Sequence, residues 1–288
     1  MERLTGAELL SWRQNLLGLG GEREALDWLL DMAGGLSPSR LQRLRLDPDA
    51  AINLPIPLGD LEGLWREHLV ASAPLQYLVG RCCWRTFEMA VGPGVLIPRP
   101  ETELLIDLAT ELVGEATELL WADLGTGSGC LAVALADAWP GSRGLAVDLS
   151  AEALNQARIN LEGAGVQQRV ELVQGSWLEA LQPWWGRLQL VVANPPYIPT
   201  PTFHQLDPIV RDHEPRLALD GGPDGLSCLR AIAAAAPLAL APGGWLLVEH
   251  HHDQSDPVLS LLEHHGLVDG ECHMDLEGHK RFACARQP

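Results

Sequence analysis

The sequence has little of what marks membrane, secreted and metal-binding proteins. No apolar run reaches the roughly 18 residues of a membrane-spanning helix. The first residues mix polar side chains with isolated leucines instead of forming an apolar signal region. The six cysteines show no Cys-x-x-Cys spacing. We therefore expect a cytoplasmic protein with reduced thiols that contacts no membrane and holds no metal.

Positive charge is also scarce. The chain has 20 Lys and Arg against 38 Asp and Glu, which gives a formal net charge of −18. Proteins that bind a phosphate backbone usually present a basic face. We therefore expect no direct contact with nucleic acid, although a locally basic site is compatible with this balance.

The N-terminal part of the chain has helical periodicity. The 288 residues leave room for about two domains of roughly 100–200 residues each. The first helical stretch follows the capping-box pattern Thr5-x-x-Glu8, and the others cover residues 23–32, 38–46 and 61–70. We predict a small all-α domain over residues 1–80. Its titratable residues are not clustered, so we expect it to pack or bind a partner and not to catalyse.

A β-hairpin linker is predicted over residues 81–98. Residues 84–91 have aromatic and β-branched character, Gly92-Pro93-Gly94 marks a turn, and residues 95–97 form another apolar run. The stretch Pro98-Arg99-Pro100-Glu101 is stiffened by its two prolines. It leads into a helix whose first turn is acidic, which suits the helix dipole.

From residue 99 to residue 288, apolar strands alternate with helices. The predicted strands cover residues 119–124, 144–147, 170–173, 188–193 and 245–250, and the predicted helices cover 131–139, 151–161, 227–240 and 257–265. This alternation is typical of a doubly wound, mostly parallel α/β sheet. Ligands bind such sheets at the carboxyl ends of the strands. The residues that follow each predicted strand are therefore the candidate site.

A glycine-rich turn joins the first strand of this predicted sheet to its helix. It reads Asp123-Leu124-Gly125-Thr126-Gly127-Ser128-Gly129. Glycines let the backbone turn sharply and approach a ligand, although such a turn alone is also compatible with a dinucleotide site. Asp148 closes the next strand, where a carboxylate can accept hydrogen bonds from both ribose hydroxyls. Ser150 is the better N-cap for the helix that follows.

The tetrapeptide Asn194-Pro195-Pro196-Tyr197 ends the predicted strand 188–193. Proline gives no N–H to a β-ladder and fixes its own φ. The residue before a proline is pushed away from the helical region as well. Asn194 is therefore expected in a stiff backbone at the tip of a buried strand, where a ligand binds.

These motifs together resemble the class I S-adenosylmethionine-dependent methyltransferases. The tetrapeptide is similar to that of enzymes that methylate a planar nitrogen, either the exocyclic amine of adenine or a glutamine amide. Residues 94–103, Gly-Val-Leu-Ile-Pro-Arg-Pro-Glu-Thr-Glu, resemble the signature of the release factor glutamine methyltransferases, the PrmC/HemK family. Residues 77–80, 214–226 and 243–250, and Gly278 with Arg281, are also similar, so the resemblance covers essentially the whole chain.

The resemblance implies a Rossmann-like methyltransferase domain over residues 99–288 and a substrate-docking role for residues 1–80. It implies methyl transfer from S-adenosylmethionine to the amide nitrogen N5 of the glutamine in the Gly-Gly-Gln loop of peptide chain release factors. The product is S-adenosylhomocysteine, and the methylated release factor acts in translation termination. We expect a monomer that docks this partner across both domains.

The resemblance also assigns site residues. The implied cofactor-binding residues are Asp123, Gly125, Thr126, Gly127, Ser128, Gly129, Asp148, Trp177 and Asn194. The implied substrate-binding residues are Pro98, Arg99, Pro100, Glu101, Asn194, Pro195, Pro196 and Tyr197. Of these, Asn194, Pro195 and Tyr197 are the implied catalytic residues. The Asn194 side-chain oxygen and the Pro195 carbonyl would each accept one N–H of the substrate amide, and Tyr197 would form an aromatic wall.

Two positions depart from the family pattern. Ser176 stands where the family usually has an Asp before the aromatic residue, and an uncharged hydroxyl is a weaker partner for an amine. His250-His251-His252 stands where the family more often has one polar residue and Gly. Adjacent histidines of a strand point to opposite faces, so we expect no metal site there.

Two other functions compete with this interpretation. One is an adenine N6-methyltransferase acting on DNA or RNA, and the net charge counts against it. The other is a catalytically idle binding protein that keeps the fold, and the intact set of motifs counts against that.

Overall fold

The computed structural model of the chain describes residues 2–288. It divides into two compact units. The first comprises Met1–Cys82 with Pro208–His213, and the second comprises Cys83–Asp207 with Glu214–Pro288. Residues 208–213, which were predicted within the larger domain 99–288, are grouped with the smaller unit.

The first unit is mainly helical. Its helices are α1 (Gly6–Leu17), α2 (Arg23–Met32), α3 (Pro38–Leu44), α4 (Leu58–Ala71) and α5 (Leu75–Val79). It also contains a strand pair that the sequence analysis did not predict: β1 (Glu2–Thr5) runs antiparallel to β2 (Ala51–Leu54). Leu9, Leu26, Leu61 and Trp65 are completely buried in its core. Burial of a large apolar side chain contributes about 1.5–3 kcal/mol, so this core stabilises the short helices.

The predicted capping box at the start of α1 is present. The Thr5 side chain accepts a hydrogen bond from the Glu8 backbone N–H at 3.2 Å, and the Thr5 backbone N–H donates to Glu8 Oε2 at 2.7 Å. The Thr5 hydroxyl donates to the same carboxylate oxygen at 2.9 Å. Two backbone donors that the helix cannot satisfy are therefore bonded.

Thr5→Ala is expected to lower the free energy of unfolding by about 1 kcal/mol, because both the cap and its partner are lost. Urea unfolding followed by circular dichroism measures this change. The matched control is Thr117→Ala, which alters an exposed loop threonine. Equal stability of the two variants would contradict the capping role.

The predicted hairpin lies earlier in the chain than expected. The structure pairs β3 (Arg81–Trp84) with β4 (Phe87–Ala90), and residues 95–97 are not a strand. The turn falls at Arg85, whose φ is +51°. Arg85 is held there because its backbone N–H donates to Glu103 Oε1 at 2.9 Å and its guanidinium donates to the Glu103 carbonyl and to Asp107, both at 2.8 Å. These contacts are distant in sequence, so local turn propensity did not indicate them.

The second unit contains a seven-stranded sheet, which confirms the predicted doubly wound fold. Its strands are β5 (Leu120–Leu124), β6 (Arg143–Asp148), β7 (Val170–Gln174), β8 (Leu188–Ala193), β9 (Leu240–Glu249), β10 (Val268–Met274) and β11 (Lys280–Arg286). The order across the sheet is β10-β11-β9-β8-β5-β6-β7. The strands β5 to β9 are parallel, and only β10 and β11 run antiparallel to their neighbours.

Helices flank this sheet on both faces, as parallel strands require. The helices introduced after the hairpin are α6 (Leu104–Val113), α7 (Cys130–Ala138), α8 (Ala151–Gly163), α9 (Thr200–Phe203), α10 (Pro208–Arg211, in the first unit), α11 (Ser227–Ala239) and α12 (Ser255–His264). Trp121, Ala122 and Leu124 of β5 are completely buried, as are residues 190–193 of β8. Within residues 2–288, every helix is too short or too polar to span a bilayer.

The order of the strands in the sheet indicates where a ligand site is expected. From β5 the chain winds outward through β6 and β7, and it then returns to the other side of β5 as β8. The carboxyl ends of β5 and β8 therefore meet at the point where the winding reverses, which is where open α/β sheets bind ligands. Gly125 follows β5 and Asn194 follows β8.

Candidate active site

A cavity of about 430 Å³ opens at these strand ends. Its size falls in the range of small-molecule sites. The residues that line it include predicted members of both groups: Pro98, Arg99, Gly125, Thr126, Gly127, Ser128, Asp148, Trp177, Asn194 and Pro196. Ser176, the position that departs from the family, lines it too. Asp123, Gly129, Pro100, Glu101, Pro195 and Tyr197 were also predicted but are not among its lining residues.

The glycine-rich turn depends on its glycines, because each of them adopts a left-handed backbone. The φ angles of Gly125, Gly127 and Gly129 are +72°, +54° and +81°, values that side chains with a Cβ rarely adopt. A Cβ on Gly125 would also lie 3.2 Å from the Trp177 ring, and one on Gly129 would lie 3.0 Å from Ala157 Cα. The turn, the ring and α8 are thus in close contact.

Asp123 supports this turn from beneath. It is completely buried, and its Oδ2 accepts a hydrogen bond from the Thr126 hydroxyl at 2.6 Å. Its Oδ1 is buried without a partner. Burial raises the pKa of Asp123 to about 7, although the Thr126 hydrogen bond opposes this shift.

Asp148 lies at the end of β6, as predicted, and lines the cavity. Its Oδ2 accepts from the Gly127 N–H and its Oδ1 accepts from the Ser150 N–H, both at 2.9 Å. Burial raises the pKa of Asp148, and the backbone hydrogen bonds lower it in part. Ser150 is the N-cap of α8, because its side chain accepts from the Ala153 N–H. The capping role therefore belongs to Ser150, and Asp148 keeps lone pairs for a ligand.

Trp177 adopts an uncommon backbone conformation beside the turn. Its φ is +44°, which is rare for a bulky side chain and often marks a functional position. Ser176 precedes it as an exposed cavity residue. The ring packs directly over Gly125, where a Cβ would lie 3.2 Å from it, and Trp177 also lines the cavity.

Asn194 is held by a chain of hydrogen bonds. Its Nδ2 donates to Thr102 Oγ1 at 2.9 Å, and the Thr102 hydroxyl donates to Glu249 Oε2 at 2.7 Å. Thr102 lines the cavity beside Asn194, whereas Glu249 is 1% exposed. The amide nitrogen of Asn194 is used within the protein, so its oxygen is the group that can accept from a ligand.

Tyr197 makes a contact that the sequence analysis did not predict. Its hydroxyl donates to Glu249 Oε1 at 3.1 Å. Burial raises the pKa of Tyr197, so the phenol stays protonated and able to donate. Pro195 is buried between Asn194 and Pro196. The roles of the Tyr197 ring and the Pro195 carbonyl toward a substrate stay predictions.

Arg99 is fixed by a buried carboxylate. Its Nη2 donates to Glu214 Oε1 at 2.6 Å, and Glu214 Oε2 accepts from the Ile97 N–H at 3.2 Å. The Trp84 indole N–H donates to the Arg99 carbonyl at 2.8 Å. The guanidinium is thus positioned at the cavity wall.

Four residues that the sequence analysis gave no role support the site. Thr102 and Glu249 hold Asn194, and Glu214 holds Arg99. Asn160 of α8 donates to the Ser128 carbonyl at 2.8 Å and exchanges two hydrogen bonds with the backbone of Ala90. Thr102, Glu214 and Glu249 lie in segments that resemble the family, and this resemblance is the signal in the sequence that could have indicated them.

The three histidines lie differently from the prediction. β9 ends at Glu249, so His250 falls just beyond the strand and the alternation of faces does not apply. His250 is buried and pairs with the His251 carbonyl, while His251 Nδ1 lies 2.6 Å from Asp253 Oδ1. Among residues 2–288, no three His, Cys, Asp or Glu side chains are arranged to hold a metal ion. No cysteine in that range forms a disulfide.

Comparison with known proteins shows the family of this chain. Residues 102–217 match the Methyltransferase small domain family. The release factor glutamine methyltransferase of Prochlorococcus marinus is 48% identical over 290 residues, which span 100% of this chain and 99% of that protein. The chain belongs to the release factor glutamine methyltransferase family. The protein of the same name from Geobacter sulfurreducens is 38% identical and covers 97% of this chain and 95% of its own length.

Solved structures show the same fold. The catalytic domain of hMettl16, crystallised with the MAT2A 3′UTR hairpin 6, has a TM-score of 0.57 at 16% identity and covers 83% of this chain and 84% of that chain. The ribosomal protein L11 methylase of Lactobacillus delbrueckii subsp. bulgaricus has a TM-score of 0.50 at 20% identity, with 69% and 84% covered.

Membership of this family makes the chain a methyltransferase, and the family and fold imply the use of S-adenosylmethionine. The residues present fit that cofactor. The turn at Gly125, Asp148 and the Trp177 ring line one cavity, in which Asp148 offers acceptor oxygens and the ring offers a flat surface.

Proposed function

We propose that this protein methylates N5 of the glutamine in the Gly-Gly-Gln loop of peptide chain release factors, with S-adenosylmethionine as methyl donor and S-adenosylhomocysteine as product. The observation that carries the proposal is the position of the Asn194 amide in the same cavity as the turn 125–128 and Asp148. The full-length similarity to release factor glutamine methyltransferases favours glutamine over adenine as the target.

The cofactor would be held by the residues around the turn. Asp148 would accept from ribose hydroxyls, Trp177 would stack on the adenine, and the backbone at residues 125–129 would approach the amino acid part. Asp123 and Thr126 would support the turn from below. The bound cofactor supplies an electrophilic methyl group on a positively charged sulfur, so the protein needs no nucleophile of its own.

The residues of the chain would then prepare the substrate nitrogen. An amide nitrogen is a poor nucleophile because its lone pair is delocalised into the carbonyl. Asn194 Oδ1 and the Pro195 carbonyl would each accept one N–H and so aim the lone pair at the methyl group. The Arg99 guanidinium, fixed by Glu214, would line the slot for the glutamine side chain. Positioning of this kind lowers the activation free energy of a reaction by several kcal/mol.

The remaining parts of the proposal concern the partner. We infer that the smaller unit supplies further docking surface for the release factor, that the enzyme acts as a monomer in the cytoplasm, and that it uses no metal. The modified glutamine would then modulate translation termination.

Labelled cofactor tests the proposed target directly. The purified protein is incubated with S-[methyl-³H]adenosylmethionine and, separately, with release factor, release factor whose Gly-Gly-Gln glutamine is replaced by alanine, duplex DNA and ribosomal RNA. Label is expected in the intact release factor alone. Label in either nucleic acid and none in release factor would favour the adenine alternative, and equal label in both release factors would refute the assigned glutamine.

A further inference from the structure

Glu249 is a buried acid for which the proposed reaction gives no role. It ends β9, is 1% exposed, and accepts one hydrogen bond on each carboxylate oxygen, from Thr102 and from Tyr197. An ionised carboxylate can only accept. Both hydroxyls must therefore donate to it.

This requirement sets the orientation of Asn194. Because the Thr102 hydroxyl gives its proton to Glu249, its oxygen must accept from Asn194. Only the NH₂ group of the Asn194 amide can donate, so that group faces Thr102. The Asn194 oxygen is consequently free to accept an N–H of the substrate amide, which is the arrangement that the proposed reaction needs.

Protonation of Glu249 on Oε2, the oxygen that accepts from Thr102, would remove this constraint. A proton on Oε2 would be donated to Thr102, and the Thr102 hydroxyl would then donate onward to Asn194. The Asn194 amide would have to turn its oxygen toward Thr102 and its NH₂ group toward the cavity. There the NH₂ group would meet an N–H of the substrate amide, and two donors cannot bond.

Several charged groups act on Glu249. Burial is the dominant influence and raises the pKa of Glu249 to about 7, while the hydrogen bonds from Thr102 and Tyr197 and the positive charge of Arg281 lower it, and Glu101 raises it. Arg281 lies on β11 and is paired with Asp275 at 2.8 Å. His250 follows directly in the chain, and its buried ring favours the neutral form because burial lowers its pKa.

We propose that Thr102 and Glu249 are positioning residues for methyl transfer: the ionised Glu249 carboxylate, acting through the Thr102 hydroxyl, holds the Asn194 amide oxygen toward the substrate, and protonation of Glu249 releases it. This inference rests on the proposed function for its catalytic consequence. The orientation of Asn194 itself is a property of the protein alone.

The first test needs no substrate. The side-chain NH₂ signal of Asn194 in the ¹⁵N-labelled protein, assigned by its loss in Asn194→Ala, is followed from about pH 5.5 to about pH 8.5, a range that spans the raised pKa. We expect an inflection near pH 7 in the native chain. Glu249→Gln should abolish this inflection because the side chain no longer ionises. The control Glu171→Gln, at an exposed position of the edge strand β7, should keep it.

The second test measures kcat as a function of pH at saturating cofactor and release factor. The kcat of the native chain should be several-fold lower at about pH 6 than at about pH 8, because Glu249 is mostly protonated at the lower pH. Glu249→Gln should remove this fall in kcat between about pH 8 and about pH 6. Thr102→Val should lower kcat at every pH with the KM for the cofactor little changed, and Thr102→Ser, which keeps the hydroxyl, should restore the native profile.

The outcomes separate the inference from the proposed function. Asp123 also has its pKa raised to about 7. Because Asp123 is present in both the native chain and Glu249→Gln, only the difference between their pH profiles is assigned to Glu249. An Asn194 signal without an inflection, or with the same inflection in Glu249→Gln, would overturn the inference. If the native chain and Glu249→Gln both methylated release factor with the same pH profile, the inference would be overturned and the proposed function would be unaffected. Absence of methylation would overturn the proposed function, and the Asn194 signal would still decide the orientation.

Discussion

Asn194→Ala is expected to lower kcat by about 10²–10³-fold, the cost of removing one preorganised polar contact to a reacting group. The variant loses the oxygen that would accept the substrate N–H, so the nitrogen lone pair is no longer held toward the methyl group. The Thr102 hydroxyl remains on Glu249. Asn194 lies at a strand tip and is only partly buried, so the fold should tolerate the smaller side chain.

Methylation of purified release factor, measured over multiple turnovers at saturating cofactor and release factor, gives kcat. Calorimetric titration with S-adenosylhomocysteine should show nearly native affinity, which separates a defect in the reaction from a defect in cofactor binding. Asn155→Ala is the matched control, because Asn155 is an exposed asparagine on α8. Native turnover in Asn194→Ala would remove Asn194 from the mechanism.

Asp148→Ala is expected to weaken cofactor binding by about 1–3 kcal/mol, or roughly 5- to 150-fold in Kd. The carboxylate can accept ribose hydroxyls while its oxygens also bond the Gly127 and Ser150 N–H groups. The alanine variant therefore loses the ligand contact and also the support of the turn. Asp148→Asn keeps one acceptor oxygen, so its Kd for the cofactor should lie between those of the native chain and Asp148→Ala.

Calorimetric titration of S-adenosylmethionine measures this loss, and kcat at saturating cofactor should change far less than Kd. Asp137→Ala, which removes an exposed acid on α7, is the control for the change in net charge. If Asp148→Ala bound the cofactor as tightly as the control, the ribose assignment would be wrong.

The alternation of strands and helices was sufficient to predict the five parallel strands of the larger unit, because β5, β6 and β8 lie inside the sheet and are mostly buried, apolar segments. Residues 188–193 were predicted as a strand and form β8 with the same bounds. The strands β10 and β11 were not predicted. β10 is largely exposed and has register shifts in its pairing, so it lacks the alternation that marks a half-buried strand.

The hairpin shows where local signals fail. Gly92-Pro93-Gly94 is a strong turn signal, yet the turn between β3 and β4 forms at Arg85. The left-handed backbone at Arg85 is stabilised by Glu103 and Asp107, which lie 18 and 22 residues later. Propensity describes a residue and its neighbours, and contacts over such separations override it.

The sequence by itself determined the parts of the site that are contiguous in the chain. Glycines at alternate positions after a strand, Asp148 at the next strand end and Asn194 before two prolines each fix a local backbone, because φ restrictions act within a few residues. The tertiary structure alone decided which side chains meet. Asn194 meets Thr102 across 92 residues, and Thr102 meets Glu249 across 147. The pairing of β8 with β9 brings Asn194 near Glu249, and the segment Glu101–Glu103 before α6 adds Thr102 between them. Glu249 is buried there, and burial is what makes its ionisation matter to the orientation of Asn194.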